Sequence, residues 1–186
     1  MTPNEVLKET GKMMEASIHA VQHEVAKIRT GRANIALLDG IHVEAYGTQS
    51  PLNQVANLTV PEPRMIVIQP YDRSIIKAID TAINKSDLGL TPNNDGTVIR
   101  LHLPELTGER REELVKITKK IGEEGKVALR NHRHKAIDAF KEAEKDGDIP
   151  QDESKRLQGE IQKMTDNYTT KIDEILKEKE DEILHF

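Results

Sequence analysis

The chain has 186 residues, enough for one ordinary domain or two small ones, and its 3% aromatic content without Trp predicts a thin, aliphatic core. The absence of cysteine excludes disulfides, zinc ribbons and cysteine nucleophiles. Because the net charge is -5, any binding of nucleic acid must come from a local basic face rather than from the charge of the whole protein.

The first segment has the pattern of a long amphipathic helix. Its apolar residues follow one another at steps of three, four and seven: Leu7, Met14, Ile18, Val21, Val25 and Ile28. Pro3 suits the first turn of a helix, and Gly31 suits a C-terminal cap with positive φ. The sequence therefore predicts a helix over residues 3–30 that is capped by Gly31.

Residues 32–104 differ in character, with short alternating apolar runs, turn residues and most of the prolines. Strands are predicted at residues 41–46, 55–60, 65–69 and 99–103, with a turn at 92–96. The stretch 72–85 returns to a helical period, and either Asp72 or Ser74 could cap its start. This block is therefore predicted to be a small α+β unit.

Helical periodicity resumes after Pro104 in two long segments. Thr107 could cap the first, which runs for about 39 residues to the break at KDGDIP. Its apolar face is formed by Leu114, Ile117, Ile121, Ala128, Leu129, Ala136, Phe140 and Ala143. Gly122 and Gly125 each cost about 1 kcal/mol inside a helix, so packing must hold this region together. The second segment carries a stripe at Leu157, Ile161, Met164, Tyr168, Ile172, Ile175 and Ile183.

Three long amphipathic helices cannot each bury an apolar stripe alone, so they are expected to pack as an antiparallel three-helix bundle. The predicted α+β fold consists of this discontinuous bundle, residues 1–30 and 105–186, with an inserted β/α/β domain at residues 31–104. The chain crosses between the two at residues 30–32 and 103–106. Two adjacent crossings define an axis, which makes Thr30, Gly31, Leu103 and Pro104 candidate hinge residues.

No pattern in the sequence indicates catalysis. There is no G-x-S-x-G motif and no glycine-rich phosphate loop, so we expect a protein that is not an enzyme and has no cofactor. Glu15, His19 and His23 lie four residues apart and could present metal ligands on one helix face. A solvated helix face explains them as well, and no fourth ligand is apparent, so no metal site is expected.

The strongest polar pattern in the sequence lies in KVALRNHRHK, the segment from Lys126 to Lys135. Four cations follow steps of seven, four and three that stack them on one side of a helix: Lys119, Lys126, Arg130 and Arg133. A solvated face would also explain this stripe. Arginine suits phosphate, however, and Arg29 and Arg32 could extend the surface if the helices are antiparallel. Because no aromatic residues are interleaved, a folded RNA held by its backbone and shape fits better than a single strand.

The N-terminal sequence MTPNEVLKETGK lacks the apolar run of a signal peptide. No later stretch approaches the roughly 20 apolar residues of a membrane span. We therefore expect a cytoplasmic protein that is neither secreted nor inserted in a membrane.

Several motifs occur in order along the chain: KIRTGRA at 27–33, LLDG at 37–40, VEAYGT at 43–48, YDRS at 71–74, SDLGL at 86–90, LPELTGERR at 103–111 and ALRNHR at 128–133. In these motifs and their order the chain resembles the bacterial ribosome recycling factor family. The resemblance covers essentially the whole sequence, which makes it far more specific than one short pattern. The chain departs from the family pattern at His134, where the family commonly has a second consecutive arginine, and at Lys135, where an acidic residue is usual.

The resemblance implies a monomer with an L shape and roughly the outline of a transfer RNA. It implies binding to the post-termination ribosome, at large-subunit ribosomal RNA near the peptidyl-transferase side. With elongation factor G and its GTP hydrolysis, the factor would split the subunits and release messenger and deacylated transfer RNA, without being an enzyme itself. Arg130 and Arg133 match the family's RNA-contacting arginines, with Lys126 in the same stripe. Arg29 and Arg32 match basic positions beside the hinge.

Two other functions stay open on the residues alone. A helical-bundle adaptor would dock a partner helix on its heptads, and its basic stripe would be incidental. A hydrolase in the inserted domain would need a pocket with convergent polar groups, which this sequence gives little reason to expect.

Overall fold

The computed structural model describes residues 1–185, which form two compact units. One unit combines Met1–Thr30 with the chain from Thr107 onward, and the other is the continuous segment Gly31–Leu106. In chain order the elements are α1 (Pro3–Ala26), β1 (His42–Ala45), β2 (Thr48–Pro51), α2 (Leu52–Val55), β3 (Ala56–Glu62), β4 (Met65–Pro70), α3 (Ile76–Lys85), β5 (Pro92–Asn94), β6 (Ile99–His102), α4 (Gly108–Lys145) and α5 (Gln151–His185). Long helices together with a small β-rich unit confirm the predicted α+β class. Among residues 1–185, no helix has both the length and the apolar character needed to cross a membrane.

Helix α1 begins with a reciprocal cap and ends earlier than predicted. Thr2 accepts a hydrogen bond from the Glu5 amide, while the Glu5 carboxylate accepts one from the Thr2 amide, and Pro3 occupies the first turn. The predicted end at residue 30 is wrong, because α1 stops at Ala26. The Ile28 amide bonds to the Val25 carbonyl only three residues back, so the chain tightens and leaves the helix there.

The ends of helix α4 follow local signals that the sequence contains. The Thr107 side chain accepts a hydrogen bond from the Arg110 amide at 3.1 Å, which confirms the predicted N-cap. At the other end Gly147 adopts a φ of 81°. The Asp148 amide then bonds back to the Ala143 carbonyl at 2.9 Å. The chain thereby turns sharply into α5.

The three long helices pack side by side around two apolar clusters. Phe140 near the end of α4 packs with Leu157 near the start of α5, while Arg111 at the start of α4 donates to the Ile183 carbonyl at the end of α5. Helices α4 and α5 are therefore antiparallel. Helix α1 is antiparallel to α4, because Ser17 contacts His132 whereas Val21, one turn later on α1, lies beside Gly125, which comes earlier on α4. The buried cores of the two clusters are Met14, Ile18, Val21, Val25, Leu129 and Ile172, and Ala136, Phe140, Leu157 and Ile161.

Two glycines of α4 lie where the helices approach most closely. A Cβ on Gly122 would be 2.1 Å from the Leu176 Cδ1, and a Cβ on Gly125 would be 2.5 Å from the Val21 Cγ2. Both glycines are buried, whereas Ile117 is 42% exposed and does not join the apolar face that was predicted to include it. The cost of glycine in this helix is therefore offset by closer contact between helices.

The segment Gly31–Leu106 is built on a four-stranded antiparallel sheet in the order β3-β4-β6-β5. Strands β4 and β6 form its centre, with Ile66 opposite Leu101 and Ile68 opposite Ile99, all fully buried. Helix α3 contributes Ile76, Ile79 and Ile83 to the same aliphatic core. The pair β1–β2 forms a separate antiparallel hairpin.

Two local predictions in this unit need correction. The helix predicted over residues 72–85 begins with a 3-10 turn, Arg73–Ile75, before α3 starts at Ile76. Asp72 rather than Ser74 caps it, by accepting the Ser74 amide at 2.9 Å. The first three residues of the turn predicted at 92–96 are instead strand β5, which pairs with β6, and the turn begins only at Asp95. Pairing across the sheet thus overrides the turn preference of these residues.

The returning chain leaves the β-rich unit after Leu106, two residues later than the boundary inferred from the sequence. The Leu103 amide donates to the Arg64 carbonyl at 2.8 Å, and the Arg64 guanidinium pairs with the Glu105 carboxylate. Gly31 has a φ of 80°, and a Cβ on it would lie 3.4 Å from the Pro104 carbonyl oxygen. The outgoing and returning segments therefore run next to each other at the edge of this unit.

Candidate nucleic-acid interface

Helix α4 presents three of the predicted cations on one face. Lys126, Arg130 and Arg133 are four and three residues apart, so they lie above one another along the helix. Leu129 and Ala136, which alternate with them, are buried against the other helices. This periodicity leaves the cationic groups at the surface of the bundle, where a large anionic partner can reach them.

Each of these cations has an acceptor near it. The Lys126 Nζ is 2.5 Å from the Asp173 Oδ1 of α5, and the Arg130 Nη2 is 2.7 Å from the Glu123 Oε1. The Arg133 Nη1 donates to the Gln162 Oε1 at 3.3 Å. The Arg130–Glu123 pair is exposed on both sides, and such pairs contribute typically about 0.2–1 kcal/mol to stability, so a phosphate can replace Glu123 at low cost.

The two carboxylate partners were missed by reasoning from the sequence. Glu123 could have been found, since it precedes Arg130 by seven residues, which is two turns on the same helix face. Asp173 could not, because it approaches Lys126 only through the packing of α5 on α4. The basic stripe is thus a set of cations held in place by acceptors rather than a purely positive surface.

Lys119, the fourth cation of the stripe, is exposed on the same face of α4, two turns before Lys126. Arg29 is exposed beyond the end of α1 in the helical unit. Ser17 of α1 lies level with His132, so the end of α1 at Ala26 is about 14 Å farther along the bundle. The end of α1 is therefore level with the part of α4 between Lys119 and Lys126 rather than with Arg133. Arg32 is exposed in the β-rich unit.

His132 lies inside the basic motif but faces the α1–α4 contact. Its Nε2 is 3.2 Å from the Ser17 Oγ, whose hydroxyl also lies 3.2 Å from the Met13 carbonyl oxygen. Its buried Nδ1 has no hydrogen-bond partner among residues 1–185. Burial, and to a smaller extent the charge of Lys135, lower the pKa of His132. His132 therefore stays neutral near pH 7, and the charge of this face comes from its arginines and lysines.

The candidate hinge residues have distinct environments. Thr30 is only 6% exposed, and its hydroxyl donates to the Glu182 Oε1 of α5 at 3.0 Å. Gly31 is the residue with positive φ beside it. On the returning segment Leu103 is half-buried and its amide is bonded to the Arg64 carbonyl, while Pro104 is exposed.

The Glu15 and His19 pair forms a surface contact on α1. The His19 Nε2 lies 3.6 Å from the Glu15 Oε1, and both side chains are largely exposed. Glu15 also accepts a hydrogen bond from Tyr168, which contributes to the raised pKa of that phenol after burial. Among residues 1–185, no group of three or more potential metal-ligating side chains comes together.

Comparison with known proteins gives matches along nearly the whole chain. The family model described as "Ribosome recycling factor" matches residues 21–184. The ribosome-recycling factor of Natranaerobius thermophilus is 52% identical over 97% of this chain and 98% of its own length. Those of Bacillus subtilis and Gloeothece citriformis are 53% and 54% identical, over 97% and 95% of this chain and 97% of each relative.

Solved structures agree with the sequence relatives. The solution structure of a ribosome recycling factor is 40% identical with a TM-score of 0.73, and the match covers 99% of this chain and 98% of that chain. A second match is a chain from models for the T. thermophilus ribosome recycling factor and the E. coli elongation factor G bound to the E. coli post-termination complex. That chain is 46% identical with a TM-score of 0.61, and the match covers 99% of this chain and 100% of that chain. The protein therefore belongs to the ribosome recycling factor family.

Proposed function

We propose that this protein binds the ribosome after termination and, with elongation factor G and GTP hydrolysis, separates the two subunits. Messenger RNA and deacylated transfer RNA are released in the process. The observation that carries this proposal is the near-complete match to a structure of a factor bound, with elongation factor G, to a post-termination complex. The factor itself catalyses no reaction in this scheme, since GTP hydrolysis belongs to the partner.

The helical unit is the part that holds the ribosome in this proposal. Lys126, Arg130 and Arg133 offer a row of cations on α4, and the arginine forks suit the phosphates of large-subunit ribosomal RNA. No aromatic side chain lies among them, so recognition of RNA shape and backbone is favoured over stacking on bases. Arg29 and Arg32 are proposed as further RNA contacts on either side of the first crossing.

The β-rich unit is the part that elongation factor G displaces in this proposal. Thr30 and Gly31 on one segment, and Leu103 and Pro104 on the other, are the proposed hinge residues. Support comes from the closeness of Gly31 to Pro104, because two adjacent connections define the direction of a rotation better than one. A bundle fixed on RNA could then transmit the movement to the contacts that join the subunits.

Light scattering of post-termination ribosomes tests the function directly. The full-length factor should split them rapidly when elongation factor G and GTP are both present, and slowly when either is omitted. An adaptor with an incidental basic stripe predicts no splitting under any of these conditions. No acceleration by the complete mixture would therefore reject the proposal.

The RNA-contacting face can be tested by Arg133→Ala. Loss of one phosphate contact should weaken binding to purified large subunits by roughly tenfold and reduce the slope of log affinity against log salt by about 1. Arg156→Ala is the matched control, since Arg156 is an exposed, ion-paired arginine on α5 outside the stripe. Equal affinities for the two variants would remove Arg133 from the interface.

A further inference from the structure

Both aromatic side chains of the segment Gly31–Leu106 are displayed on its surface. Tyr46 is 74% exposed and Tyr71 is 71% exposed. The core of this unit consists only of Ala, Val, Leu and Ile side chains. Tyrosine rings usually bury a large apolar area in a core or an interface. The exposure of both rings therefore indicates a contact with a partner rather than a role in the core.

Tyr46 also has a backbone conformation that its side chain disfavours. Its φ is 54°, the one positive φ of a non-glycine among residues 1–185, and Gly47 follows with a φ of 78°. The two residues form the turn of the β1–β2 hairpin, between the paired residues Ala45 and Thr48. Such a turn favours Asn-Gly, because a bulky residue with positive φ is strained. Strain of this kind is concentrated at functional sites.

A carboxylate is fixed beside the exposed ring. The Tyr46 hydroxyl donates to the Asp72 Oδ2 at 2.5 Å, and the Asp72 Oδ1 accepts the Ser74 amide. These hydrogen bonds, with that of Tyr46 the largest cause, hold the pKa of Asp72 below its usual range. Tyr71 directly precedes Asp72, so both exposed tyrosines belong to the same end of the unit.

This arrangement has the chemistry of a receptor for a cationic side chain. A guanidinium or ammonium group can lie over the phenol face and pair with the carboxylate at the same time. Nucleic acid phosphate would instead be repelled by Asp72. The segment Gly31–Leu106 as a whole also has a negative formal charge, because it carries six Lys and Arg against eight Asp and Glu. We propose that Tyr46 and Asp72 form a docking site for an arginine or lysine side chain of a protein partner.

This inference rests on the proposed function, in which elongation factor G acts on the β-rich unit, and that protein is the partner to test. Tyr46→Asn removes the ring and relieves the strain, since asparagine tolerates a positive φ. Asp72→Asn removes the charge but keeps a side-chain oxygen to cap the Ser74 amide. Val60→Thr is the control, because Val60 is an exposed apolar residue on β3 of the same unit.

The splitting rate of each full-length variant is measured against the concentration of elongation factor G, alongside binding to large subunits without it. Tyr46→Asn should keep or raise the melting temperature. Both Tyr46→Asn and Asp72→Asn should raise the half-maximal concentration of elongation factor G about tenfold, the size expected when a contributing interface side chain is removed. Large-subunit binding should not change, and Val60→Thr should behave as wild type. Tyr46→Phe, which keeps the ring face, should also stay near wild type.

Three results would overturn the inference. One is wild-type dependence on elongation factor G in both Tyr46→Asn and Asp72→Asn. Another is a matching loss of large-subunit binding without elongation factor G, since the contact would then be with the ribosome. A wild-type factor that splits ribosomes equally well without elongation factor G would remove the proposed function as well, whereas the first two results leave it intact. Asp72→Asn does not alter the hairpin turn, so it keeps the test valid if Tyr46→Asn folds poorly.

Discussion

Gly125 of α4 lies so close to Val21 of α1 that a Cβ on the glycine would be 2.5 Å from the Val21 Cγ2. The same Cβ would be 3.2 Å from the Ile172 Cδ1 of α5. Val21 is β-branched and 4% exposed, so its side chain cannot rotate away. Gly125→Ala should lower the free energy of unfolding by about 1–2 kcal/mol, because the destabilisation from overpacking exceeds the stabilisation from the higher helix propensity of alanine. Denaturant unfolding measures this change.

Gly159 of α5 is the matched control for that substitution. A Cβ there meets nothing within 4 Å, and the residue is exposed inside a long helix. Gly159→Ala should therefore raise the free energy of unfolding by about 0.5–1 kcal/mol. Equal stabilisation by the two substitutions would contradict the close approach of α1 to α4.

Glu123→Gln should strengthen binding to large ribosomal subunits. The Glu123 carboxylate lies 2.7 Å from the Arg130 guanidinium and competes with RNA phosphate for it. Release of an exposed ion pair of this kind is worth about two- to fivefold in affinity. Glu124→Gln makes the same change of net charge at the neighbouring exposed position, so the difference between the variants reports the ion pair. The expectation fails if both variants bind with the same affinity.

The stability of the protein should fall in mildly acidic solution, in part because of His132. Its pKa in the folded protein is lowered, first by burial and then by Lys135. The unfolded chain therefore takes up protons as the pH falls through about 6.5, before the folded protein does. His132→Leu should reduce the loss of unfolding free energy between about pH 7.5 and about pH 5. His134→Leu is the control, because His134 is exposed. If the pH profile of His132→Leu is the same as the profiles of the wild-type protein and of His134→Leu, this assignment is contradicted.

Gly31→Ala tests the proposed hinge, and Gly40→Ala is its control because Gly40 has a similar positive φ. Gly31 has a φ of 80° and Gly40 a φ of 83°, but a Cβ meets a neighbour within 4 Å only at Gly31. Each alanine should cost about 1–2 kcal/mol for its positive φ. Only Gly31→Ala should slow splitting driven by elongation factor G, with large-subunit binding retained. If Gly40→Ala slows splitting equally, Gly31 matters only for folding.

Local signals in the sequence predicted the long helices well. The Thr107 side chain caps α4 by accepting the amide of a residue three positions later, and α4 ends at the predicted break KDGDIP, where Gly147 has a positive φ. Both features depend on a few neighbouring residues, so they can be read from sequence alone. The positive φ of Gly31 was also predicted, although its role as the cap of α1 was wrong, because α1 ends at Ala26.

Features that depend on packing could not be predicted in the same way. The exposure of Ile117 and the burial of Gly122 and Gly125 follow from how close the helices come, which hydrophobic periodicity does not report. Asp173 approaches Lys126 from another helix and for that reason had no signal in the sequence. The RNA contacts and the hinge remain predictions, to be decided by the binding and splitting experiments.

The bond between Thr30 and Glu182 joins residues 152 positions apart, and it has a consequence for how the protein is made. Synthesis proceeds from the N-terminus, so α1 emerges first but meets its partners α4 and α5 last. Gly31–Leu106 contains its whole core and can fold while the chain is still growing. Until α4 and then α5 have been synthesised, the nascent chain carries a finished small unit and an apolar face on α1 that its partners do not yet cover fully, the surface at which chaperones would act.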